Sequence, residues 1–233
     1  MSLNIYSSTW FDLFLFPITE EQTQSEIAFV ARQLPLPRFR RVIDLCSGPG
    51  RHANELAKLG YDITAIDIDA AAIAKLRDIA SIRAIQLDMR HLDRLPGDFD
   101  AVVILWQSFG YFSAAENAEV LASIRRKLSR GGRLILDVYH REFFELHQGR
   151  REFTRDGRTI TETKIVTGDR LLVVLDYGDG TGDAFDWQVF TPEQLIDSAA
   201  AAEFRPVLAC SDFAEDHPPT PANPRMQLVF EAR

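Results

Sequence analysis

The sequence predicts an α/β protein with a doubly wound, mostly parallel sheet of seven strands, whose last strand is antiparallel. Five apolar strand-like segments alternate with helical segments between residues 42 and 139. The segment 99–106 is an almost continuous apolar run, which is typical of a strand buried on both faces of a parallel sheet. After residue 150 short polar strands are joined by Asp156-Gly157 and Gly168-Asp169, which are hairpin signals. An antiparallel β meander is therefore expected after the fifth strand.

Composition and charge limit the function classes. The 233 residues are 46% hydrophobic and 26% charged, which fits one globular domain with an insertion. The net charge of -8 argues against nucleic acid or an anionic membrane as a partner. Cys46 and Cys210 both fall in apolar runs and are predicted to be buried and unpaired in a reducing compartment. With no basic leader and no run of membrane-spanning length, the prediction is a cytoplasmic protein.

The elements are predicted from apolar spacing, caps and turns. Helices begin after Asp69, at the capping box Ser113-Glu116 and at Thr191-Pro192, and glycines 131–132 stop the one before the fifth strand. The predicted helices span 19–34, 51–59, 70–79 and 113–128, with another from 191. The predicted strands span 42–46, a run ending at 67, 82–87, 99–106, 133–139, 151–154, 159–166, 170–177, 205–212 and 226–231.

The chain is expected to form one domain over 1–233. Its parts are an N-terminal helical lid segment (1–38), a core (39–140), an inserted antiparallel β subdomain (151–190) and a C-terminal completion of the sheet (191–233). The stretch 5–16 is rich in aromatic residues with i,i+4 spacing, such as Trp10 and Phe14, which predicts a short amphipathic helix. This helix either packs on the core or covers a ligand.

A glycine loop marks the core. The strand 42–46 breaks at Ser47-Gly48-Pro49-Gly50 and a helix follows at once, a geometry that brings bare backbone N–H groups close to a ligand. Asp44 lies just inside the strand end, and Asp67 follows nineteen residues after Gly48, about where a carboxylate would hold the hydroxyls of an adenosine ribose. Alone, this pattern is shared by nicotinamide enzymes, flavoproteins and methyltransferases.

Further motifs narrow the choice. In order along 41–139, the chain resembles the class I S-adenosylmethionine-dependent methyltransferase family in four motifs, which are residues 42–50, Asp67 within 65–69, Leu87-Asp88-Met89-Arg90, and 131–137. The resemblance implies a Rossmann-like fold and S-adenosyl-L-methionine as cofactor, with S-adenosyl-L-homocysteine as its product. The late helix and strand pair also fit.

The resemblance assigns the methionine end of the cofactor to four residues. It implies that Gly48 and Gly50 shape the loop around the methionine part and that Asp44 organises its amino end, directly or through water. Trp106, at the end of the fourth strand, would lie near the sulfonium and the transferred methyl group. All these positions fall at carboxyl ends of parallel strands, where ligands bind in such sheets.

The adenosine end is assigned in the same way. The resemblance implies that Asp67, beside Ile68, accepts hydrogen bonds from both ribose hydroxyls, since a carboxylate offers paired acceptors. Asp88 would accept from the adenine amine, with Met89 beside the ring. A lone aspartate after a strand is otherwise a helix cap or turn former, which is the interpretation preferred for Asp69.

The segment 106–112 resembles the same stretch in small-molecule N- and O-methyltransferases, including the glycine and amino-sugar N-methyltransferase groups. The resemblance implies that an antiparallel addition after the fifth strand helps to cover the substrate, as in these enzymes. The acceptor is therefore expected to be a small molecule, with the accepting atom left open. Tyr111 and His140 are the candidate general bases, because both follow strands whose ends face the ligand. The histidines show no metal-ligand spacing, so no metal is predicted.

Two alternatives stay open. An NAD(P)-dependent oxidoreductase would use the same loop and Asp67 but would not explain Asp44 or Asp88-Met89. A non-catalytic S-adenosylmethionine-binding protein would keep the loop and lack the chemistry. The substrate pocket is expected to be roofed by the N-terminal aromatic segment, the 151–190 meander and the proline-rich 215–225 loop. The meander could equally form the interface of a homodimer.

Overall fold

A computed structural model describes residues 3–233; Met1 and Ser2, the first residues of the predicted lid segment, lie outside the described part. The helices are α1 (Ser8–Trp10), α2 (Glu20–Gln33), α3 (Arg51–Lys58), α4 (Ala70–Leu76), α5 (Ala114–Lys127), α6 (Arg141–Leu146) and α7 (Pro192–Ala201). The strands are β1 (Arg41–Leu45), β2 (Asp62–Asp67), β3 (Ile82–Gln86), β4 (Phe99–Ile104), β5 (Leu128–Tyr139), β6 (Gly149–Arg155), β7 (Arg158–Thr167), β8 (Arg170–Asp176), β9 (Gly182–Gln188), β10 (Phe204–Cys210) and β11 (Arg225–Ala232).

The main sheet has seven strands in the order β10-β11-β5-β4-β1-β2-β3. Strands β1 to β5 pair in parallel, while β11 pairs antiparallel with both β5 and β10. This confirms the predicted doubly wound, mostly parallel sheet with an antiparallel last strand. Because β1 lies between β2 and β4, the strand order reverses direction there, and a crevice is expected at the carboxyl ends of these strands.

Helices cover both faces of this sheet. Along β4, Val102 and Ile104 pack in one buried cluster with residues of α5 and α7, while Ala101 and Val103 pack in the other with residues of α2 and α3. All four are completely buried. The apolar run 99–106 therefore belongs to a strand buried on both faces, as predicted.

The helix starts follow the predicted caps. Thr191 and Ser113 each form a capping box, with Gln194 and Glu116 respectively returning the hydrogen bond. Asp69 caps α4 by accepting from the backbone N–H of Ala71 at 2.8 Å. Helix α4 itself ends at Leu76, three residues before the predicted end.

Three predicted boundaries are wrong. Strand β5 begins at Leu128 instead of Arg133, because Phe99 of β4 already pairs with Leu128 and residues 129–132 bulge out before pairing resumes at Arg133. The helix expected over 5–16 is reduced to α1 and a π-helical turn at Phe11–Leu15. The meander is a four-stranded antiparallel sheet, β6-β7-β8-β9, rather than three strands.

Strand β9 escaped prediction because it carries acidic residues that are rare in strands. The structure compensates both of them. Buried Asp183 accepts from the Ser7 hydroxyl at 2.7 Å, and the carboxylate of Asp186 accepts from Nε of Arg170 at 2.9 Å. The backbone of Asp186 also exchanges two hydrogen bonds with the side chain of Asn4, at 2.8 and 3.0 Å. The N-terminal segment is thereby fastened along β9. Within residues 3–233, no helix is long and apolar enough to cross a membrane.

Candidate functional site

A cavity of about 540 Å³ opens at the carboxyl ends of the central strands. Its walls come from the segments that follow β1, β2, β3 and β4, and from the N-terminal segment between Leu3 and Leu15. This volume lies within the range of roughly 300–1,000 Å³ that is usual for small-molecule sites. Of the predicted site residues, the cavity wall includes Gly48, Asp67, Ile68, Asp88, Met89, Trp106 and Tyr111.

The two loop glycines have different surroundings. Gly48 has φ +53°, and a Cβ built on it meets no atom within 4 Å, so its bare backbone faces open space. Gly50 has φ +86° and precedes α3, and a Cβ there would lie 2.2 Å from Cδ2 of Leu76. Gly50 does not line the cavity; it lets α4 pack against the start of α3.

Asp67 ends β2 and ties the loop to it. Its Oδ2 accepts from the Gly48 backbone N–H at 2.8 Å, and its Oδ1 accepts from that of Asp69 at 2.9 Å. Burial raises the pKa of Asp67, against the effect of these backbone donors. Each carboxylate oxygen keeps a free lone pair for a ligand hydroxyl. Ile68, 66% exposed, forms the lip of the cavity beside it.

Asp88 follows β3 and is held by Arg90. The guanidinium donates from Nη2 to Oδ2 at 2.7 Å, and the backbone N–H of Arg90 donates to Oδ1 at 2.9 Å. The Arg90 hydrogen bond holds the pKa of Asp88 below its usual value. A ligand donor would share this carboxylate with Arg90. Met89 is buried beside it and contributes to the cavity wall.

Asp44 lies in the middle of the sheet, beneath the loop, and does not itself line the cavity. It is 2% exposed, and its Oδ2 has no hydrogen-bond partner. Burial raises its pKa to about 6, although the charges of His52 and Arg51 act in the opposite direction. A buried carboxylate oxygen without a donor is costly, so this atom is poised to accept one.

Trp106 lies two residues after the end of β4 in an unusual backbone conformation. Trp106 and Gln107 have φ values of +60° and +56°, a region that costs on the order of 1–3 kcal/mol per non-glycine residue. The conformation is held by fully buried Asp137, whose Oδ2 accepts from the Trp106 backbone N–H at 2.8 Å. Arg225 and Gln227 donate to the same carboxylate. One of these two strained residues, Trp106, therefore forms part of the cavity wall.

Glu26 of α2 holds the indole of Trp106 from behind. Its Oε1 accepts from the indole N–H at 2.9 Å, and its Oε2 accepts from Arg51 at 2.7 Å and contacts Nε2 of His52 at 2.7 Å. Burial disfavours the Glu26 carboxylate, but His52, Arg51 and Trp106 outweigh it and lower its pKa to about 2. Glu26 was not among the residues predicted from the sequence. The available signal was an acid on the apolar face of a helix, beside Ile27 and Val30.

The two candidate bases differ in their position relative to the cavity. Tyr111 lines the cavity, and its hydroxyl lies 2.8 Å from that of Tyr6 in the N-terminal segment. Burial raises the pKa of both phenols, so both are neutral at physiological pH. His140 is 1% exposed at the start of α6 and does not line the cavity; burial lowers its pKa. Among residues 3–233, no group of three potential metal ligands occurs.

The expected roof is corrected in two respects. Among residues 3–233, the N-terminal segment is the one of these three that contributes to the cavity wall; the meander supports this segment from outside through β9, and the 215–225 loop does not line the cavity. Cys46 was expected to be buried like Cys210, but it is partly exposed and lines the cavity. Its position directly after β1 places its side chain at the sheet edge where the ligand groups converge.

Known methyltransferases are similar to this chain in sequence. The family profile described as "Methyltransferase domain" matches residues 42–132. The chain is 33% identical over 109 residues to a putative methyltransferase of Bacillus subtilis, covering 45% of this chain and 44% of that protein. It is 30% identical over 125 residues to a glycine/sarcosine N-methyltransferase of Halorhodospira halochloris, covering 51% and 47%. The chain thus spans about half the length of these curated relatives.

Solved structures match over nearly the whole chain. An S-adenosylmethionine-dependent methyltransferase from Clostridium acetobutylicum superposes with a TM-score of 0.80 at 13% identity, covering 96% of both chains. An amino pentose methyltransferase from Micromonospora echinaspora, solved with S-adenosylmethionine bound, gives 0.69 at 18% identity and 100% coverage of both chains. At these identities the likeness concerns the fold, and it confirms the Rossmann-like architecture. The resemblance to methyltransferases inferred from residues 41–139 is also confirmed, by the profile match.

Proposed function

We propose that the protein is an S-adenosyl-L-methionine-dependent methyltransferase that transfers a methyl group to the nitrogen or oxygen of a small molecule. The observation that carries this proposal is the order of groups along one cavity. Asp88, Asp67, the Gly48 loop and Trp106 follow β3, β2, β1 and β4, which are neighbours in that order in the sheet. An extended ligand with adenine, ribose and amino-acid parts would meet them one after another.

The residues present fit this cofactor. Asp67 keeps a lone pair on each oxygen for the two ribose hydroxyls, and the open backbone at Gly48 leaves space for the chain that follows. The unpartnered Oδ2 of Asp44 supplies an acceptor for an ammonium group beneath the loop, directly or through water. Met89 offers an apolar surface beside Asp88, where the adenine is expected.

When bound, the cofactor supplies a methyl group activated by a sulfonium. The work left to the protein is alignment of the acceptor and exclusion of water. The N-terminal segment excludes water by covering the cavity, since Tyr6 and Trp10 form part of its wall. Tyr111 and Tyr6 are neutral, so we infer that they orient the acceptor by hydrogen bonding instead of removing its proton. An amine acceptor would then react in its uncharged form.

The similar proteins support a methyltransferase over the oxidoreductase alternative. A glycine/sarcosine N-methyltransferase and an amino pentose methyltransferase are among the similar proteins, which supports a small-molecule acceptor. An NAD(P)-dependent oxidoreductase is not favoured. The features of the cavity that this rival leaves unexplained are the orphaned oxygen of Asp44 and the Asp88-Met89 pair.

Calorimetric titration with S-adenosylmethionine, S-adenosylhomocysteine and NADH tests the proposal. Micromolar binding of the two sulfur ligands, with no heat from NADH, is the expected result. Binding of NADH alone would overturn it. Mass spectrometry of the denatured protein would reveal a cofactor carried through purification, and the titration is then repeated after its removal.

Compartment and assembly belong to the same proposal. Both cysteines are free, which is usual in a reducing cytoplasm, so we place the protein there. The meander ends in β6, whose outer edge has no strand partner within residues 3–233 and whose residues are mostly exposed. This edge is where a homodimer would form. Sedimentation velocity at two protein concentrations distinguishes a monomer from a dimer.

A further inference from the structure

One carboxylate connects three parts of the cavity wall without lining the cavity itself. Glu26 lies on α2, is 2% exposed, and is absent from the cavity surface. Of its four side-chain partners, Arg51, His52 and Trp106 line the cavity, and the fourth is Gln22 of the same helix. They come from the start of α3 and from the end of β4. A single side chain of α2 therefore connects the start of α3 with the segment that follows β4.

The indole of Trp106 is fixed in several ways at once. Its ring nitrogen donates to Glu26, and its backbone nitrogen donates to Asp137. The guanidinium carbons of Arg51 and Arg225 each lie 4.8 Å from the centre of the indole ring, within cation–π distance. Glu26 binds Arg51 as well, so it positions both the ring and one of the cations stacked on it.

We propose that Glu26 is a positioning residue of the cofactor site, which holds the Trp106 indole and the Arg51 guanidinium where the methionine end of the cofactor binds. This inference rests on the proposed function, because it takes the adenosine end of the ligand to lie at Asp67 and Asp88. The methionine end then lies at the glycine loop and Trp106, the part of the wall that Glu26 supports.

The position of Glu26 distinguishes this role from ordinary packing. A surface ion pair would contribute little to either binding or stability, but this carboxylate is buried and all its near partners are donors. Glutamine at this position has no charge and only one acceptor oxygen, so it cannot hold Arg51 and the indole N–H at the same time. The consequence should be confined to the methionine end, because no contact of Glu26 reaches Asp67 or Asp88.

Two ligands that differ only at that end provide the test. S-Adenosylhomocysteine carries the amino-acid chain, and 5′-methylthioadenosine keeps the adenine, ribose and sulfur without it. Calorimetry measures both affinities for the wild type and for Glu26→Gln. We expect Glu26→Gln to bind S-adenosylhomocysteine at least tenfold more weakly and 5′-methylthioadenosine within twofold of the wild type. Glu20→Gln, an exposed carboxylate of the same helix, should change neither affinity, and Asp67→Ala should weaken both.

A double-mutant cycle tests the route through Trp106. Trp106→Phe keeps an aromatic ring but removes the N–H that Glu26 accepts. The effect of Glu26→Gln on S-adenosylhomocysteine should be at least threefold smaller in the Trp106→Phe background than in the wild type. Circular dichroism and thermal melts confirm that each variant is folded. If Glu26→Gln does not fold, Trp106→Phe alone carries the test and should weaken S-adenosylhomocysteine more than 5′-methylthioadenosine.

Three outcomes would overturn the inference. The first is unchanged affinity of a folded Glu26→Gln variant for S-adenosylhomocysteine. The second is an equal loss for both ligands, which would mean a general loosening of the site. The third is an additive cycle with Trp106. If the wild type binds neither ligand, the proposed function itself fails, and that result is recognised before any variant is made.

Discussion

Replacing Asp44 by asparagine should stabilise the protein at neutral pH. The pKa of Asp44 is raised from 3.8 to about 6, because the side chain is buried with one oxygen unpartnered. A raised folded-state pKa means that the folded chain favours the protonated carboxyl. The stabilisation from protonation is present in full below pH 3.8, the value in the unfolded chain, and is lost as pH rises through about 6.

The size of the effect follows from the shift. Two pKa units correspond to about 3 kcal/mol between the limits of low and high pH. About half of this, ~1.4 kcal/mol, falls between pH 5 and pH 8. Asparagine keeps the shape and never ionises. The free energy of unfolding of Asp44→Asn, taken relative to the wild type, should therefore rise by about this amount over that interval.

Urea denaturation at pH 5, 6, 7 and 8 measures this difference. Working with the difference between two proteins cancels the titration of all the other groups. Asp78→Asn, an exposed aspartate beyond α4, is the matched control and should show no pH-dependent difference. If the stability difference between Asp44→Asn and the wild type stays constant to within about 0.4 kcal/mol from pH 5 to pH 8, the argument from burial is refuted.

Three further predictions concern the same cavity. Titration of S-adenosylhomocysteine at pH 6 should release up to about half a proton, because Asp44 is half protonated there and a ligand ammonium lowers its pKa; calorimetry in buffers of different ionisation enthalpy detects this, and the release should vanish in Asp44→Asn. Asp67→Ala should weaken S-adenosylmethionine by roughly 1.5–3 kcal/mol, and an unchanged dissociation constant in a folded variant would remove Asp67 from the site. Gly50→Ala should lower the free energy of unfolding by roughly 1–3 kcal/mol through its positive φ and the overlap with Leu76. Leu76→Ala in the same chain should relieve part of that loss in urea denaturation, whereas additive losses would contradict the overlap.

The fold was largely predictable because its signals are local. Runs such as 99–106 carry the burial of a strand in their own composition, and caps such as Ser113 and Thr191 mark helix starts within four residues. The glycine loop and Asp67 were found by the same local reading. Prediction failed where distant contacts decide the conformation. Strand β9 depends on residues more than 170 positions away, because Ser7 donates to the carboxylate of Asp183 and Asn4 bonds the backbone of Asp186.

In the candidate site too, some residues could be predicted from the local sequence and others depend on contacts between distant residues. Asp67, Asp88 and Trp106 were assigned by the family resemblance, and the position of each after a strand that ends at the crevice agrees with that assignment. The partners that hold Trp106 could not be found from sequence, because Glu26 is 80 residues away from it and Arg225 is 88 residues from Asp137. No pattern within a window of ordinary length connects them. His140 also follows a strand, but the chain turns into α6 there and buries the side chain away from the cavity.

Glu26 and Asp44 are both buried carboxylates near the glycine loop, but they differ in the number of hydrogen-bond donors that they meet. Glu26 has donors on both oxygens and a pKa lowered to about 2, so it stays charged and complete with or without a ligand. Asp44 has an oxygen with no donor and a pKa raised to about 6, so its charge is poorly compensated in the free protein. A complete ion-pair network can only position other groups. An incomplete one favours a cation, and in the proposed complex the ammonium of the amino-acid ligand would supply the missing charge.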